Sequence, residues 1–173
     1  MRSLVRIVGV VALSGCALAP MAWAQGTKVQ AGAAVADVLT PGDFAKLGAE
    51  QLAVAAKNPN GTASVTLATY PGHRTMLIAR VKSGVAEVHA NDSDFLMVLE
   101  GEGTQLIGGT VVEPKDEGNG ETRGLRLEGA ASHILRKGDV IHIPVGVPHQ
   151  TLLAPGHSMT VFAIKVAKPA VAK

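Results

Sequence analysis

Two short segments of the sequence place imidazole and carboxylate side chains at spacings that could support chemistry. In the first segment Glu87 and His89 alternate with Val88, so a β-strand would put both on one face. Asp94 follows a short turn and opens the next strand, where it could fold back beside His89. In the second segment a tight Pro/Gly turn precedes His149. We therefore expect imidazole and carboxylate to be the reactive groups of this protein.

Residues 1–24 have the features of an export signal. Two arginines precede an apolar run that is shorter than a membrane span, and Ala22-Trp23-Ala24 is a small-x-small cleavage site. This pattern predicts a periplasmic or secreted protein with no transmembrane segment in its mature form. An alternative is a lipoprotein anchored at Cys16, because the four residues that end there, LSGC, resemble a bacterial lipobox.

The composition excludes several classes of function. The 16 Lys and Arg residues against 14 Asp and Glu residues give a formal charge of +2, which is too small for a nucleic-acid binder. The only cysteine cannot form an internal disulfide. Cleavage of the signal removes that cysteine and two basic residues, so the mature chain is formally neutral and has no thiol for catalysis or metal binding. We expect a small-molecule ligand and no nucleic-acid partner.

The region from 25 to 61 is predicted to form an arm and a short helix. Thr40, Pro41 and Asp43 form a helix-start signature of cap, first-turn proline and acidic third residue. The helix is expected to continue to about Lys57, before a turn sequence ends it.

The region from 62 to 166 is predicted to be an all-β domain. It contains about nine short apolar or alternating runs at roughly ten-residue spacing, separated by Gly, Pro, Asn and Asp, which indicates an antiparallel sandwich or barrel. We expect Gly101 to lie in a hairpin turn and the charged, Gly-rich residues 112–128 to form a mobile loop or lid. The tail, 167–173, is expected to fray.

The two segments resemble the paired motifs of the cupin superfamily, G-x5-H-x-H-x3-4-E-x6-G and G-x5-P-x-G-x2-H-x3-N. Asp94 takes the place of the glutamate in the first motif, with six residues between it and a following glycine. Leu153 replaces the terminal asparagine of the second. The positions that match the second motif in type and spacing are Gly138, Pro144, Gly146 and His149. The resemblance implies a double-stranded jelly-roll barrel over residues 62–166.

Two registers are possible for the histidine pair of the first motif. Matching Glu87 and His89 to the pair leaves four residues before Asp94, which the motif allows. Matching His89 and Asn91 keeps the opening glycine, Gly84, but makes both neighbouring spacers one residue short. We prefer the first register because it needs no gap near the ligands.

Carried over residue by residue, the resemblance implies a divalent transition metal held by His89, Asp94 and His149, with Glu87 as the fourth ligand. In the second register Asn91 would be the fourth ligand. Two imidazoles and a carboxylate are typical of non-haem iron sites, although Mn, Cu, Zn and Ni are compatible too. If Glu87 is not a ligand, it becomes the candidate catalytic group for proton transfer.

The same side chains have simpler interpretations. His89 and His149 could bind an organic ligand directly, Asp94 could only stabilise its turn, and Glu87 could lie at the rim of the barrel. His142 is expected to face outward unless the even-numbered positions of its strand point into the barrel. His133 is not expected to belong to the site. Arg80 is expected to be solvated near the end of its strand, and the alternative is that it pairs with an anionic ligand.

The resemblance implies a metal-dependent enzyme that acts on a small organic molecule by oxygenase, isomerase or lyase chemistry, and the signal pattern predicts that it is exported. A non-catalytic ligand-binding protein and a cell-envelope sensor or assembly protein are the alternatives. Because proteins that resemble cupins often pair through their sheets, we also expect a homodimer.

Overall fold

The amino-terminal helix begins at the predicted capping residues. The computed structural model describes residues 37–169, and helix α1 spans Pro41–Ala55. The Thr40 hydroxyl accepts the backbone N–H of Asp43 at 3.2 Å, and the Asp43 carboxylate accepts the backbone N–H of Thr40 at 2.8 Å. This capping box satisfies two backbone donors that have no partner within the helix. The predicted helix is confirmed.

Helix α1 is attached to the outside of the β-structure by small and aromatic side chains. Ala55 is completely buried, and the ring of Phe44 meets the edge of Phe162 with 5.4 Å between the centroids. No helix of the described residues is long and apolar enough to cross a membrane.

Twelve strands follow the helix within residues 37–169. They are β1 (Thr62–Tyr70), β2 (His73–Arg80), β3 (Ala86–His89), β4 (Asp92–Ile107), β5 (Thr110–Val112), β6 (Lys115–Gly118), β7 (Glu121–Gly124), β8 (Arg126–Glu128), β9 (Ala131–Arg136), β10 (Val140–Ile143), β11 (His149–Leu152) and β12 (Met159–Ala167).

Ten of these strands form one curled sheet. Its order is β1-β2-β12-β4-β11-β3-β7-β6, and β9 and β10 also pair with β4. Strands β5 and β8 form a separate two-stranded ribbon. Every pairing is antiparallel. The all-β jelly-roll barrel with a preceding helix, as predicted from the sequence, is confirmed.

Gly101 does not lie in a hairpin turn, and that prediction is wrong. Strand β4 is 16 residues long and continues through Gly101 without a turn. Its register against β12 shifts between Thr160 and Val161. Gly101 has a φ of +81°, and a Cβ there would collide with the backbone oxygen of Ser158. The first part of β4 pairs with β12 and β10, and the second part pairs with β9 and β11. The glycine therefore allows an irregularity at which one strand passes from one half of the barrel to the other.

Residues 112–128 do not form a loop, and that prediction is also wrong. They include strands β6, β7 and β8. Asn119 and Gly120 both have positive φ, 53° and 82°, and they connect β6 to β7 in a hairpin. An Asn-Gly pair favours such a turn, but all four residues of β6 are exposed. The charged composition of an exposed edge strand hid the hairpin.

The inward rows of β4 and β12 are apolar along most of their length and charged at one end. Leu96 and Val98 of β4 and Val161 and Ala163 of β12 are buried in the core. Alternation along the same faces adds Asp94 and Lys165, which are directly opposite each other in the β4–β12 register. The barrel thus carries a buried ionic pair beside its apolar core.

Candidate metal centre

The barrel contains a cavity of about 770 Å³ that is open to solvent. All four residues predicted as metal ligands line it: Glu87, His89, Asp94 and His149. The two motif segments, whose ligand candidates Asp94 and His149 are 55 positions apart in the sequence, therefore meet at one site.

Three of the four residues form a compact set of possible metal ligands. Glu87, His89 and His149 each offer one ligand atom, and these atoms lie within 4.8 Å of one another. Strand pairing explains the proximity, because His149 of β11 is opposite Glu87 of β3, and His89 is two residues further along β3. The two imidazole rings are 4.9 Å apart between centroids, at an angle of 57°.

Hydrogen bonds orient both imidazoles through the same ring nitrogen. The Nδ1 atom of His149 lies 3.1 Å from the carbonyl oxygen of Val147, and the Nδ1 atom of His89 lies 2.6 Å from Oε2 of Glu121. In metal sites the nitrogen that does not bind the metal usually makes such a bond, which fixes the ring and its tautomer. Two imidazoles with engaged Nδ1 atoms and one carboxylate fit a divalent transition metal.

Asp94 lies beside the histidines but is held by a lysine. Its Oδ2 atom is 3.4 Å from Nε2 of His89 and 3.9 Å from Nε2 of His149. Lys165 donates to both carboxylate oxygens of Asp94, at 2.7 Å and 2.9 Å. Both residues are buried, at 4% and 9% exposure. A role for Asp94 as a ligand stays a prediction, since both of its oxygens already accept from Lys165.

Burial and neighbouring charges shift the pKa values of Asp94, His89 and His149. Burial acts to raise the pKa of Asp94, but contacts with His89 and Lys165 outweigh it and lower the pKa to about 2. Burial acts to lower the pKa of His89, but Asp94 and Glu121 outweigh it, so that pKa is raised. The pKa of His149 is lowered, first by burial and also by the nearby charge of His89. Without a metal, His89 therefore holds a proton more readily than His149 does.

Glu87 has looser partners than Asp94. Its carboxylate lies 3.2 Å from Arg123 and 3.9 Å from Arg80. Arg80 was expected to be solvated, and that prediction is wrong: its side chain is 17% exposed, lines the cavity and donates to Thr62 at 3.0 Å. Its guanidinium lies against Gly84, where a Cβ would meet Nη1 at 2.7 Å.

The sequence analysis did not identify three polar residues of the site. Lys165 could have been found from alternation along β12, which puts it on the face of Val161 and Ala163. Glu121 belongs to the segment that was predicted to be a loop, and it pairs with His89 in the β3–β7 register. Gln105 lies in β4 beyond the irregularity at Gly101 and had no motif to single it out.

The remaining candidates lie outside the metal centre. Asn91 is exposed and donates to the carbonyl oxygen of Asn119, so the second motif register has no support from its position. His142 faces outward and stacks on Phe95, with 4.1 Å between ring centroids. His133 is exposed on β9. The prediction of an outward His142 is confirmed, and His133 lies outside the cavity lining.

No protein-family model and no curated protein matches this sequence. Several solved structures do. The DMSP lyase DddQ from Ruegeria pomeroyi is 16% identical, with a TM-score of 0.45, over 64% of this chain and 49% of that chain. An oxalate oxidase is 19% identical, with a TM-score of 0.46, over 64% and 53%. The cupin domain of Schizosaccharomyces pombe Cnp3 is 8% identical, with a TM-score of 0.46, over 62% and 65%.

In each of these three cases the match covers less than two thirds of the other protein's length. The assignment of the fold rests on the strand order of this chain and on the meeting of its two motif segments in one cavity. By these features the chain forms an antiparallel β-barrel that resembles the cupin fold.

Proposed function

We propose that this protein is a metal-dependent enzyme that acts on a small organic molecule inside the barrel. One observation carries the proposal: Glu87, His89 and His149 converge within 4.8 Å on the wall of a cavity of about 770 Å³. These three residues would hold a divalent transition metal, and Asp94 would be a fourth ligand or a balancing charge. The reaction type, whether oxygenase, isomerase or lyase, follows only from the cupin resemblance.

A bound divalent metal would supply a Lewis acid that polarises a substrate oxygen. The chain's own residues would position and protect that chemistry. The hydrogen bonds that the imidazoles donate to the Val147 carbonyl and the Glu121 carboxylate keep the rings oriented before any ligand binds. Glu87 lies close to both histidines and, unlike Asp94, is not hydrogen-bonded to a lysine. If Glu87 does not bind the metal, its carboxylate would accept a proton from the substrate.

Elemental analysis of the protein purified without added metal tests the proposal. We expect about one equivalent of Fe, Mn, Cu, Zn or Ni, and we expect the His149→Ala variant to lose it. His133→Ala is the matched control, because His133 is exposed and does not line the cavity. The proposal fails if wild-type protein holds no metal and binds neither Fe(II), Ni(II) nor Zn(II) in titration.

The alternative is a non-catalytic ligand-binding protein. The observation that favours it is the Asp94–Lys165 pair, which balances a buried carboxylate without a metal. This alternative predicts a small molecule that copurifies with metal-free protein and is detected by mass spectrometry after denaturation.

Export and dimerisation also belong to the proposal. The export signal, residues 1–24, lies outside the described residues. Mass spectrometry of the mature amino terminus would distinguish cleavage after Ala24 from lipidation of Cys16. Light scattering would test the homodimer, whose interface could include the exposed pair of Phe95 and His142.

A further inference from the structure

Lys165 is a buried cation that lines the cavity and depends on one carboxylate. Its ammonium donates to both oxygens of Asp94, at 2.7 Å to Oδ1 and 2.9 Å to Oδ2. Within residues 37–169 these are the only hydrogen bonds of the Lys165 side chain. Strand register explains the pair, because Lys165 of β12 lies directly opposite Asp94 of β4. The charge of the ammonium is therefore compensated by Asp94.

The positions next to Lys165 in the sheet supply no second anion. In the pairing of β12 with β2, Lys165 is opposite Arg74, which is itself a cation and pairs with Asp92 at 2.8 Å. Two positions earlier on the same face of β12 is Ala163, which is buried in the apolar core. Separating Lys165 from Asp94 would leave a buried charge without a partner, which is strongly unfavourable. The ion pair is thus a fixed part of this wall of the cavity.

The ion pair competes with a metal for the oxygen that lies beside the histidines. Oδ2 of Asp94 is 3.4 Å from Nε2 of His89, and the same atom is 2.9 Å from Nζ of Lys165. A carboxylate oxygen binds a transition metal at about 2.1 Å, so a metal on Oδ2 would lie no more than about 5 Å from the ammonium. Because two cations at that separation in a protein interior repel each other, the ion pair weakens metal binding through Asp94.

Another carboxylate is placed to supply the anionic ligand. Glu87 belongs to the compact set with His89 and His149, whose ligand atoms lie within 4.8 Å of one another, and Asp94 is not a member of that set. The carboxylate of Glu87 lies 3.2 Å from Arg123, whose side chain is 51% exposed, so this partner is easily displaced. In the preferred motif register, Glu87 stands where the motif has a histidine, and Asp94 stands where it has the glutamate.

We infer that Lys165 holds Asp94 out of the coordination of the metal, so that Glu87, His89 and His149 are its only protein ligands. Lys165 is thus a positioning residue, because it acts on the metal centre through Asp94. The metal keeps one more open position for substrate than the four ligands of the motif would leave. This inference rests on the proposed metal function and goes beyond it by giving Asp94 a lysine partner instead of a metal.

Competition titration of Zn(II) against a chelator, on the Lys165→Met variant, tests the inference. Methionine is similar in length and uncharged, so it releases Asp94, and we expect Zn(II) to bind at least tenfold more tightly than in wild type. Without metal the variant has a buried, unpaired carboxylate, so its denaturation midpoint should fall. Saturating Zn(II) should raise that midpoint by more than it does in wild type. A lysine with a purely structural role predicts the fall in midpoint and no gain in affinity.

Arg74→Met is the matched control. Arg74 lines the same cavity and lies opposite Lys165, but its carboxylate partner, Asp92, does not line the cavity. The control therefore removes the same charge without releasing a carboxylate beside the histidines. Its affinity for Zn(II) should rise by less than about threefold.

The double variant Asp94→Asn with Lys165→Met removes both charges and leaves no buried ion without a partner, so it provides the measurement if Lys165→Met does not fold. Because neither residue is a ligand, its Zn(II) affinity should stay within about threefold of wild type. The visible absorption of bound Co(II), which depends on the number and geometry of the ligands, should match wild type in the double variant and differ in Lys165→Met.

The outcomes distinguish this inference from the proposed function. If wild type binds Zn(II), the inference is overturned by a gain in Lys165→Met no larger than in Arg74→Met, or by a tenfold loss of affinity in the double variant, and the proposed function stands. Zn(II) binding by Lys165→Met but not by wild type would contradict the metalloenzyme and support the role of Lys165. If neither protein binds Zn(II), both proposals are wrong.

Discussion

Two of the carboxylates beside the histidine pair have very different surroundings. Asp94 is buried at 4% exposure and accepts two short hydrogen bonds from Lys165. Glu87 lies 3.2 Å from Arg123, whose side chain is 51% exposed, and 3.9 Å from Arg80. The first carboxylate is fully engaged within the barrel, and the second has partners that are distant or exposed to solvent.

This difference gives Asp94 and Glu87 separate roles, one in stability and one in metal binding, although the sequence motif treats both as ligands. A buried ion pair is strongly destabilised when one partner is removed, since the other is left charged without compensation. A carboxylate with weak partners costs little to redirect toward an incoming cation. We therefore expect Asp94 to dominate stability and Glu87 to dominate metal affinity.

The largest expected effect is the loss of stability in Asp94→Asn. It should lose about 3–5 kcal/mol of unfolding free energy, because Lys165 would be buried without its carboxylate. Urea denaturation would measure this loss. The double variant Asp94→Asn with Lys165→Met should recover most of it. Asp92→Asn, which breaks the partly exposed pair with Arg74 at 2.8 Å, is the control and should lose about 1 kcal/mol or less. A loss below about 1 kcal/mol in Asp94→Asn would contradict the distinction.

The second expected effect is a loss of unfolding free energy at low pH. The pKa of Asp94 is lowered from 3.8 to about 2 in the folded protein, so its contribution is present above about pH 4 and is lost as the pH falls through 2. The loss should be about 2 kcal/mol in metal-free protein. Denaturation at several pH values would show it as a steeper decline in wild type than in Asp94→Asn. Parallel curves for the two proteins would contradict it.

The third effect is on metal affinity. Glu87→Gln should weaken the binding of Zn(II) or Ni(II) at least tenfold, about 1.4 kcal/mol, since a neutral amide replaces a charged ligand. Its stability should change by less than about 1 kcal/mol, in contrast to Asp94→Asn. Competition titration with a chelator would measure the affinity, with Glu128→Gln, an exposed glutamate on β8, as the control. Unchanged affinity in Glu87→Gln would exclude that side chain as a ligand.

The smallest effect is expected from Arg123→Ala. Removing a cation 3.2 Å from Glu87 should raise metal affinity by about two- to fivefold, because the metal no longer competes with it. The gain is limited by the exposure of Arg123, and it should shrink further in 1 M salt. Arg126→Ala, which affects the exposed pair with Glu128, should leave affinity unchanged. A fall in affinity for Arg123→Ala would mean that the arginine supports the site.

Local patterns were sufficient for the helix and most strand positions, whereas the convergence of the ligand candidates was implied only by the resemblance to the cupin motifs. Capping chemistry acts within four residues, and strand alternation is read directly from residue types, so Thr40 and Glu87 could be interpreted from the sequence alone. The second motif placed His149 through the spacing of its turn residues.

The parts that failed depend on pairing between distant strands. The partnership of Asp94 with Lys165 follows from the β4–β12 register over 71 positions, which no local pattern specifies. Glu121 was hidden because exposed, charged strands resemble loops in composition. Gly101 was interpreted as a turn because a glycine with positive φ serves equally in a turn and in an irregular strand.

The β6–β7 hairpin carries side chains that adjust the charge around the metal-centre residues without belonging to the apolar core. Glu121 and Arg123, two residues apart on β7, contact His89 and Glu87 respectively, while β6 is the last strand of the sheet. The turn at Asn119 and Gly120 lies outside the apolar core. Substitutions in this hairpin could therefore change the basicity of His89 and the charge near Glu87 while the apolar core of the barrel stays unchanged.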